Sequence, residues 1–435
     1  MSDPASFDVI TIGGGPAGAT AALVLARAGF KVVVLEKTHF PRFHIGESLL
    51  PRIYPLLREL GLEHAMAGVP STPKFGAEFA NGDGHNISFW FDEGLIPSSK
   101  TLNIERAPFD YALLREARSA GADVREGVTV KQILTLNDGD VCVATDDGQQ
   151  LRGKYLLDAS GHGAVVGRHL GTWKNYAGRH LQKVAYFAHF ENVWLPTGKA
   201  LGNPFIVMCE EGWFWMIPIG NGRVSIGLVT DADLPKKAGV PANRMLAWGM
   251  ARCPAVMQRA ANAVGPDTNQ ILSNFSYSCR PFAGPGYFLV GDAATFLDPI
   301  FSSGVCLGMM SGREAAMHVQ SILRGESSPA AARRQYIGFV ERATGVFFKL
   351  INQYYIHSFR ELFLNGTGPL RVHGAVISVL AGQVFPKIPW KLRWRLWLFT
   401  ACLHINRFIP LVPRRKRFSL LTSEPVVPST VAVAV

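Results

Sequence analysis

Residues 7–29 read FDVITIGGGPAGATAALVLARAG and give the strongest indication of the fold. A short apolar run, typical of a buried strand, leads into the pattern Gly13-x-Gly15-x-x-Gly18, and a helical pattern follows. The first glycine permits the turn, the second lets the backbone approach a pyrophosphate, and the third lets helix and strand pack closely. The next apolar run ends in Glu36, 21 residues after Gly15, where a carboxylate can accept both hydroxyls of a ribose. The stretch predicts a Rossmann-like dinucleotide-binding domain.

Length and composition indicate a globular protein with more than one core. A chain of 435 residues with 48% apolar side chains suggests two packed lobes and a C-terminal element. The six cysteines lie far apart without a C-x-x-C pattern, so we expect reduced thiols and no metal site. No basic residue precedes Arg27, so the positively charged start of a signal peptide is missing and we expect a cytoplasmic protein.

The positive charge is concentrated in one segment. Of the net charge of +11, ten lysines and arginines lie between Glu361 and Glu424, where the sequence has no acidic residue. The rest of the chain is close to neutral and offers no broad basic face for a phosphate backbone. The sequence therefore predicts no nucleic-acid partner.

Three further motifs identify the dinucleotide. Arg106 lies in IERAPFDYALL, Asp158 begins DASG after a strand, and Gly291-Asp292 follows the strand GYFLV. In this order they resemble the flavin motifs of the p-hydroxybenzoate hydroxylase-like FAD-dependent oxidoreductases. Each motif alone has a simpler interpretation, since Arg106 could be a solvated charge and Asp158 a helix N-cap. The resemblance implies FAD and the following cofactor-binding residues: Gly13, Gly15, Ala17, Gly18, Glu36, Lys37, Ser48, Arg106, Asp158, Gly291 and Asp292.

Four other stretches narrow the resemblance to one family. They are EGWFWMIP (211–218), TFLDPIFSSG (295–304), PKFGAEF (73–79) and PRFHIGESLLP (41–51). The first contains W-x-W-x-I-P, a signature of flavin-dependent halogenases, and the others resemble that family's flavin-covering segment, lysine strand and flavin-side loop. The resemblance extends from about residue 5 to about residue 360 and is closest to the smaller halogenases of phenols and pyrroles, enzymes of secondary metabolism.

The resemblance implies a role for each residue of these stretches. Trp213 and Trp215, which share one face of an extended strand, would keep the organic substrate away from the flavin. Lys74 would guide hypohalous acid to the substrate, and main-chain N–H groups at Ser303 and Gly304 would bind the halide. Pro218 completes the signature. Glu78 shares a strand face with Lys74 if residues 74–79 form one strand, and is then a candidate for balancing the charge of Lys74.

The predicted activity is halogenation of an electron-rich aromatic ring, using reduced FAD, oxygen and chloride or bromide. The substrate would be phenolic or pyrrolic, either free or tethered to a carrier protein. Because no second glycine-rich fingerprint for NADPH occurs, a separate flavin reductase would supply reduced FAD. One alternative is a flavin monooxygenase or prenyl reductase with its substrate directly at the flavin, because fold alone does not fix function. A second alternative is a non-catalytic, membrane-associated flavoprotein.

The segment FPKIPWKLRWRLWLFTACLHINRFIPLVPRRKRF (385–418) combines three tryptophans with lysines and arginines and no acid. This composition suits an interfacial helix that makes peripheral contact with the inner face of a membrane. The alternatives are a helix that caps the substrate lobe, with aromatics inward and basic residues outward, and a docking surface for an acidic carrier protein.

The predicted fold class is α/β, with a Rossmann-like FAD-binding domain, a mixed β-sheet substrate lobe and a helical C-terminal part. We assign the FAD-binding domain to residues 1–70, 100–180 and 280–330, and the substrate lobe to residues 71–99 and 181–279. Residues 331–435 form the helical C-terminal region that carries the basic, tryptophan-rich segment.

Overall fold

The computed structural model describes residues 5–176, 182–365, 369–385 and 387–426. The strands in these ranges are β1 Ala5–Ile12, β2 Val32–Glu36, β3 Ser71–Lys74, β4 Gly76–Asn81, β5 Asn86–Trp90, β6 Thr101–Ile104, β7 Asp123–Glu126, β8 Val130–Asn137, β9 Asp140–Thr145, β10 Gln150–Asp158, β11 Trp173–Asn175, β12 Lys183–Phe190, β13 Phe205–Cys209, β14 Gly212–Gly220, β15 Arg223–Asp231, β16 Gln270–Phe275, β17 Tyr277–Cys279, β18 Ala283–Gly284, β19 Tyr287–Leu289 and β20 Thr295–Phe296. The helices are α1 Pro16–Arg27, α2 Ile53–Glu59, α3 Arg106–Ser119, α4 Val165–His169, α5 Leu234–Ala238, α6 Met245–Arg252, α7 Pro254–Ala260, α8 Gly304–Leu323, α9 Pro329–Tyr354, α10 His357–Asn365, α11 Val372–Leu380 and α12 Trp390–Phe408.

The first sheet is built around the glycine fingerprint. Its strand order is β18-β19-β10-β1-β2-β7, with β9 pairing to β10 and to β8. The pairs β2–β7, β1–β2, β1–β10 and β10–β19 are parallel, as crossover connections require. All five residues of β2 are buried, which explains its continuous apolar sequence. Gly312 of α8 lies so close to α1 that an added Cβ would be 2.3 Å from the carbonyl oxygen of Ala17.

The second sheet has the order β16-β12-β15-β14-β13-β4-β5 and is antiparallel except where β13 pairs with β4. Its strands come from residues 76–90, 183–231 and 270–275. Along β14 the buried side chains alternate between two clusters. Trp213, Trp215 and Ile217 face the first sheet, and Phe214 and Met216 face α6 and α7. This alternation agrees with the prediction that the two tryptophans share one face.

Strands β3 and β4 belong to different sheets, because β3 pairs with β6 and β4 with β5 and β13. The prediction of one continuous strand through Lys74 and Glu78 is therefore wrong. The chain leaves the first ladder at Phe75, whose N–H donates to Asn203 Oδ1 at 3.3 Å. Gly76 then allows β4 to approach β5 closely, since an added Cβ would be 2.0 Å from the carbonyl oxygen of Phe89.

The C-terminal helices pack on both sheets. Helix α12 buries Leu392, Phe399 and Leu403 against α10 and α11. The capping alternative expected its aromatic side chains to point inward, but Trp390 and Trp397 are 75% and 67% exposed. Beyond α12 the chain returns to the second sheet, where Glu210 N–H donates to the carbonyl oxygen of Phe418 at 2.8 Å. Among the described residues, none of the helices combines the length and apolarity that a membrane crossing needs.

Candidate active site

A cavity of about 700 Å³ lies between the two sheets, at the carboxyl ends of the parallel strands β1, β2, β10 and β19. Open α/β sheets bind their ligands at these strand ends. Thirteen of the residues assigned from the sequence line the cavity: Gly13, Gly15, Ala17, Glu36, Lys37, Ser48, Arg106, Trp213, Trp215, Gly291, Asp292, Ser303 and Gly304. Five other assigned residues, Gly18, Lys74, Glu78, Asp158 and Pro218, lie outside the lining, and the structure shows a different position for each.

The glycine turn forms a cradle at the start of α1. Gly13 has φ +100°, and an added Cβ would be 2.3 Å from the carbonyl oxygen of Ala159. Gly15 is the N-cap of α1, and a Cβ there would meet only the Arg42 guanidinium, at 3.4 Å. The backbone at Gly15 is thus open to a ligand, and the first turn of α1 offers N–H donors to an anion. Gly18 has a packing role, because its Cβ would be 2.0 Å from the Gly13 carbonyl oxygen.

Glu36 ends β2 with its carboxylate held in place. Oε2 accepts from Gly14 N–H at 2.8 Å, and Oε1 accepts from the N–H and the hydroxyl of Thr38 at 2.9 and 2.7 Å. Because Glu36 and Lys37 line the cavity beside the turn, this carboxylate fits the ribose position expected from the sequence.

Arg106 fixes the loop that follows residue 41. Its guanidinium donates to both carboxylate oxygens of Asp110 at 2.8 and 3.0 Å, and Nη1 donates to the Ile45 carbonyl oxygen at 2.6 Å. Across the cavity, burial raises the pKa of Asp292 to about 6, while the charge of Arg106 acts in the opposite direction. Arg106 thus combines the cavity position expected from the sequence with a structural function in the loop.

Asp158 is fully buried and does not reach the cavity. Its carboxylate accepts from Ser160 N–H at 3.1 Å and from Val166 N–H at 2.7 Å. Asp158, which the resemblance implied as a cofactor-binding residue, therefore lies behind the cavity lining. The side chain holds the segment 159–163, which does line the cavity, and its bonds resemble the helix-capping alternative.

The two tryptophans form part of the cavity wall on the side of the second sheet. Trp213 and Trp215 are 2% and 5% exposed, and their ring centroids lie 5.7 Å apart. Trp215 Nε1 donates to Ser225 Oγ at 3.1 Å. Pro218 pairs with Val224 in the same ladder but does not line the cavity, so its position indicates a structural contribution to the strand.

Trp213 is connected to the segment 295–304 through Tyr355. The indole Nε1 donates to the Tyr355 hydroxyl at 3.1 Å, and that hydroxyl donates to Asp298 Oδ2 at 2.6 Å. The other oxygen of Asp298 accepts from Ile300 N–H at 3.1 Å and so fixes the turn before α8. Burial raises the pKa of Tyr355 far above its usual value, so the hydroxyl stays protonated and can donate.

Helix α8 begins at the far end of this segment. Ser303 is its buried N-cap and Gly304 its first residue, where an added Cβ would meet no atom within 4 Å. Ser302, with φ +54°, turns the chain into the helix. N–H donors at a helix start beside open space can bind a small anion, so this geometry fits the halide position that the resemblance implies.

Lys74 lies behind the cavity wall, in contact with a wall residue. It is 3% exposed, and Nζ donates to Ser48 Oγ at 2.8 Å and to the Leu49 carbonyl oxygen at 3.3 Å. Phe91 contributes an aromatic face 5.4 Å from Nζ. Burial lowers the pKa of Lys74 to about 7. The amine itself does not line the cavity, but its hydrogen-bond partner Ser48 does. Ser48 belongs to the loop that Arg106 holds.

Glu78 does not balance the charge of Lys74. Its Oε2 accepts from Arg259 Nη2 at 2.7 Å, and both side chains are buried. The guanidinium also lies 3.7 Å from the ring centroid of Phe205. Because β3 and β4 diverge at Phe75, the strand-face argument that joined Glu78 to Lys74 fails.

Glu47, which precedes Ser48 in the chain, forms a pair with His189 that the sequence did not reveal. Glu47 Oε1 bonds to His189 Nε2 at 2.5 Å, whereas Oε2 is buried without a partner among the described residues. Glu47 is 1% exposed and lines the cavity next to Ser48. The sequence offered one signal, since the quoted loop 41–51 contains this carboxylate. No local pattern connects it to a histidine 142 residues away.

Two further histidines, His44 in the loop 41–51 and His162 directly after the DASG stretch, line the cavity. Burial lowers the pKa of each to about 4, so both are neutral at physiological pH. Within the described residues, no group of three histidine, cysteine, aspartate or glutamate side chains could hold a metal ion.

Comparison with known proteins identifies the family of this chain. Residues 6–334 match the family described as FAD binding domain. The chain is 33% identical over 404 residues to the 1H-pyrrole-2-carbonyl-[peptidyl-carrier protein] brominase of Pseudoalteromonas luteoviolacea (strain 2ta16), with 90% of this chain and 95% of the relative covered. This chain belongs to the flavin-dependent halogenases. The family resemblance, the FAD cofactor class and the α/β fold class predicted from the sequence are confirmed.

Two further comparisons extend the family assignment. The tryptophan 2-halogenase of Chondromyces crocatus is 33% identical over 346 residues, and the aligned region covers 77% of this halogenase but 65% of the relative. The solved structure of the flavin-dependent brominase Bmp2 superimposes with a TM-score of 0.80 at 29% identity, covering 91% of this chain and 99% of the other. As a member of the family, this halogenase is an FAD-dependent oxidoreductase.

Proposed function

We propose that this halogenase oxidises chloride or bromide in the cavity to hypohalous acid, and that Lys74 directs the acid to an electron-rich aromatic ring. The observation that carries the proposal is the position of Lys74. This buried amine has a pKa of about 7 and donates to Ser48, a residue of the cavity wall, and no carboxylate of the described residues bonds to it.

The glycine cradle would hold FAD, with Gly15 and the start of α1 binding the pyrophosphate, Glu36 binding a ribose, and Arg106 and Asp292 also lining the site. When bound in reduced form, FAD would use oxygen to supply the oxidising equivalent for the halide. The N–H groups at Ser303 and Gly304 would hold the halide. Because the sequence has no second glycine-rich fingerprint, a separate reductase would deliver the reduced cofactor.

The tryptophan wall would keep the aromatic substrate apart from the site of halide oxidation. Trp213 and Trp215 are rigid, since each indole N–H has a hydrogen-bond acceptor. Hypohalous acid is small enough to pass where an aromatic ring is not. A substrate excluded in this way would be halogenated and not hydroxylated.

Two side chains would transfer protons in the halogenation step: one as the proton donor and the other as the base. The ring carbon takes the halogen, and the hydroxide that leaves takes a proton from the Lys74 ammonium to become water. Glu47 Oε2 takes the proton that the ring carbon loses, and His189 holds the carboxylate in place through Oε1. Proton exchange then returns a proton to Lys74 and removes one from Glu47, so the net reaction of hypohalous acid with arene gives haloarene and water.

The substrate class proposed is a pyrrole or phenol, with a carrier-tethered pyrrole as the first candidate. The relative that covers nearly the whole chain is named for a pyrrole bound to a peptidyl carrier protein. The alignment covers 95% of that brominase, so nearly all of its sequence has a counterpart in this chain.

The test is a reconstituted reaction with product analysis. The protein is incubated with FAD, a flavin reductase, NADH, oxygen and bromide, and with phenols and pyrroles, both free and loaded on a carrier protein. Mass spectrometry should detect a brominated pyrrole or phenol. A hydroxylated product would contradict the separation of substrate from flavin, and no product from any substrate in the series would contradict the proposed substrate class.

A further inference from the structure

Helix α12 has an exposed apolar face opposite its buried one. Trp390, Trp397 and Phe408 are 75%, 67% and 85% exposed, whereas Leu392 and Leu403 are fully buried. Trp390 and Phe408 are separated by about five turns at 3.6 residues per turn, and Trp397 lies about two turns from Trp390. The three side chains therefore form one line, here called the aromatic stripe, that is about 27 Å long at 1.5 Å per residue.

The apolar surface continues past the end of the helix. Ile409 and Leu411 are 65% and 47% exposed. On the other side, Leu370 is 61% exposed and lies next to α12, because its carbonyl oxygen accepts from Arg395 Nε at 2.8 Å. The buried face of α12 attaches the helix to the rest of the protein. The opposite face leaves several large apolar side chains exposed to solvent.

Cations flank the aromatic stripe on both sides. Successive helical positions are separated by about 100°, so the exposed Lys391 and Arg393 fall on opposite sides of the line through Trp390. Arg407 is exposed at the other end of the helix. In the part of the chain that the structure describes, these three residues form no salt bridge, in contrast to Arg414 and Arg417, which pair with Glu361 and Glu210.

We propose that the aromatic stripe of α12 binds the surface of an anionic membrane, with the helix parallel to the bilayer plane. Tryptophan and phenylalanine side chains enter the boundary between headgroups and acyl chains, and lysine and arginine bind anionic headgroups. The stripe is a single straight line on the exposed face of the helix, which matches a flat interface. No helix of the described residues could cross the bilayer, so the contact is peripheral.

The charges argue against a second copy of the chain as the occupant. Two facing copies of α12 would bring Lys391, Arg393 and Arg407 of each copy together without an acidic residue on the helix to offset them. An acidic carrier protein would offer partners for the three cations. Its contact area would be compact, however, whereas the aromatic stripe extends along the whole helix.

The test is co-sedimentation of the full chain with vesicles of phosphatidylcholine, alone or mixed with phosphatidylglycerol. We expect binding to the anionic vesicles that weakens with salt, and weak binding to the neutral ones. The variant Trp390→Ser/Trp397→Ser/Phe408→Ser should lose binding, and Lys391→Gln/Arg393→Gln/Arg407→Gln should lose roughly fivefold in affinity for each charge removed.

The matched control is Leu134→Ser/Leu170→Ser/Val264→Ser, which changes three exposed apolar residues outside α12. This variant should bind the vesicles as the parent does. Bound FAD and circular dichroism show that each variant is folded. Failure of the parent to bind anionic vesicles, or equal binding by the stripe variant, would overturn the proposal. It would also be overturned if the stripe supported only self-association, or only a complex with an acidic carrier protein. Because no halogenation is measured, the outcome is independent of the proposed activity.

Discussion

At the scale of single residues, the ionisation of Lys74 decides how the amine can act. Nζ donates to two protein acceptors, Ser48 Oγ and the Leu49 carbonyl oxygen. An ammonium has a third N–H to offer to hypohalous acid, whereas a neutral amine has both N–H groups occupied and only a lone pair free.

The first prediction concerns pH. Burial lowers the pKa of Lys74 to about 7, so the donating ammonium is present below pH 7 and is lost as the pH rises through 7. With FAD reduction kept fast, the halogenation rate should fall as the pH rises through about 7, and Lys74→Arg should remove this limb of the profile. A rate that rises with pH through the same range would show that the neutral amine takes up the halogen.

The second prediction concerns Glu47 as the base. Glu47→Gln keeps an oxygen that can bond to His189 but removes the carboxylate, so product formation should fall by about 10²-fold or more, the effect expected for losing a general base. Because proton removal would then limit the rate, a ring-deuterated substrate should react more slowly than the protonated one in this variant only. Equal rates for Glu47→Gln and parent, at equal FAD content, would exclude the carboxylate from the step.

Site residues that belong to a local motif could be predicted from the sequence. Hydrogen-bond partners that are far apart in the sequence could not. Gly13, Gly15 and Glu36 each have a spacing with a physical reason, and all three line the cavity. Glu78 was misplaced because its partner Arg259 is 181 residues away and no local pattern connects them. Glu47 was missed for the same reason.

At the scale of elements, the segment that ends at Tyr355 holds the tryptophan wall and the halide segment together. Residues 341–364 have the pattern of one amphipathic helix, but the structure divides them between α9 and α10, with a break at Tyr355–Ile356. The break places the Tyr355 hydroxyl between Trp213 and Asp298, at 3.1 and 2.6 Å. Helical periodicity does not reveal such a break, because the residues on both sides are apolar and form helices.

The third prediction tests this connection. Tyr355→Phe removes one donor and one acceptor, which should lower the free energy of unfolding by about 1–3 kcal/mol because Asp298 stays buried. The loosened wall should lower the ratio of halogenated product to reduced FAD consumed, while the rate of flavin oxidation is unchanged. In a Trp213→Phe background the same substitution should have a much smaller effect on the ratio. Fully additive effects in the double variant would show that the two side chains act separately.

At the scale of the whole molecule, the family resemblance predicts an FAD-binding domain and a β-sheet substrate lobe, and the structure has two large sheets with the cavity between them. The continuous apolar run of β2 indicates a strand that is buried on both faces. In β14, successive side chains alternate between the face toward the cavity and the face toward the core of the second lobe. How the C-terminal region packs could not be predicted. The buried carboxylate of Glu361 accepts from Asn406 and Arg414, at 2.9 and 2.8 Å, across more than forty residues of sequence.

Whether Lys74 directs the halogen can be decided by comparing flavin oxidation with product formation in Lys74→Met. Reduced FAD is mixed with oxygen, bromide and a pyrrole or phenol that the parent brominates, and both rates are followed in the same reaction. Lys199→Met, which removes an exposed lysine paired with Asp92, is the control and should behave as the parent does. We predict that Lys74→Met binds FAD and oxidises it at the rate of the parent, forms about 10²-fold less brominated product, and releases the oxidant as free hypobromous acid or peroxide. A folded Lys74→Met protein that brominates the substrate as fast as the parent would contradict the account.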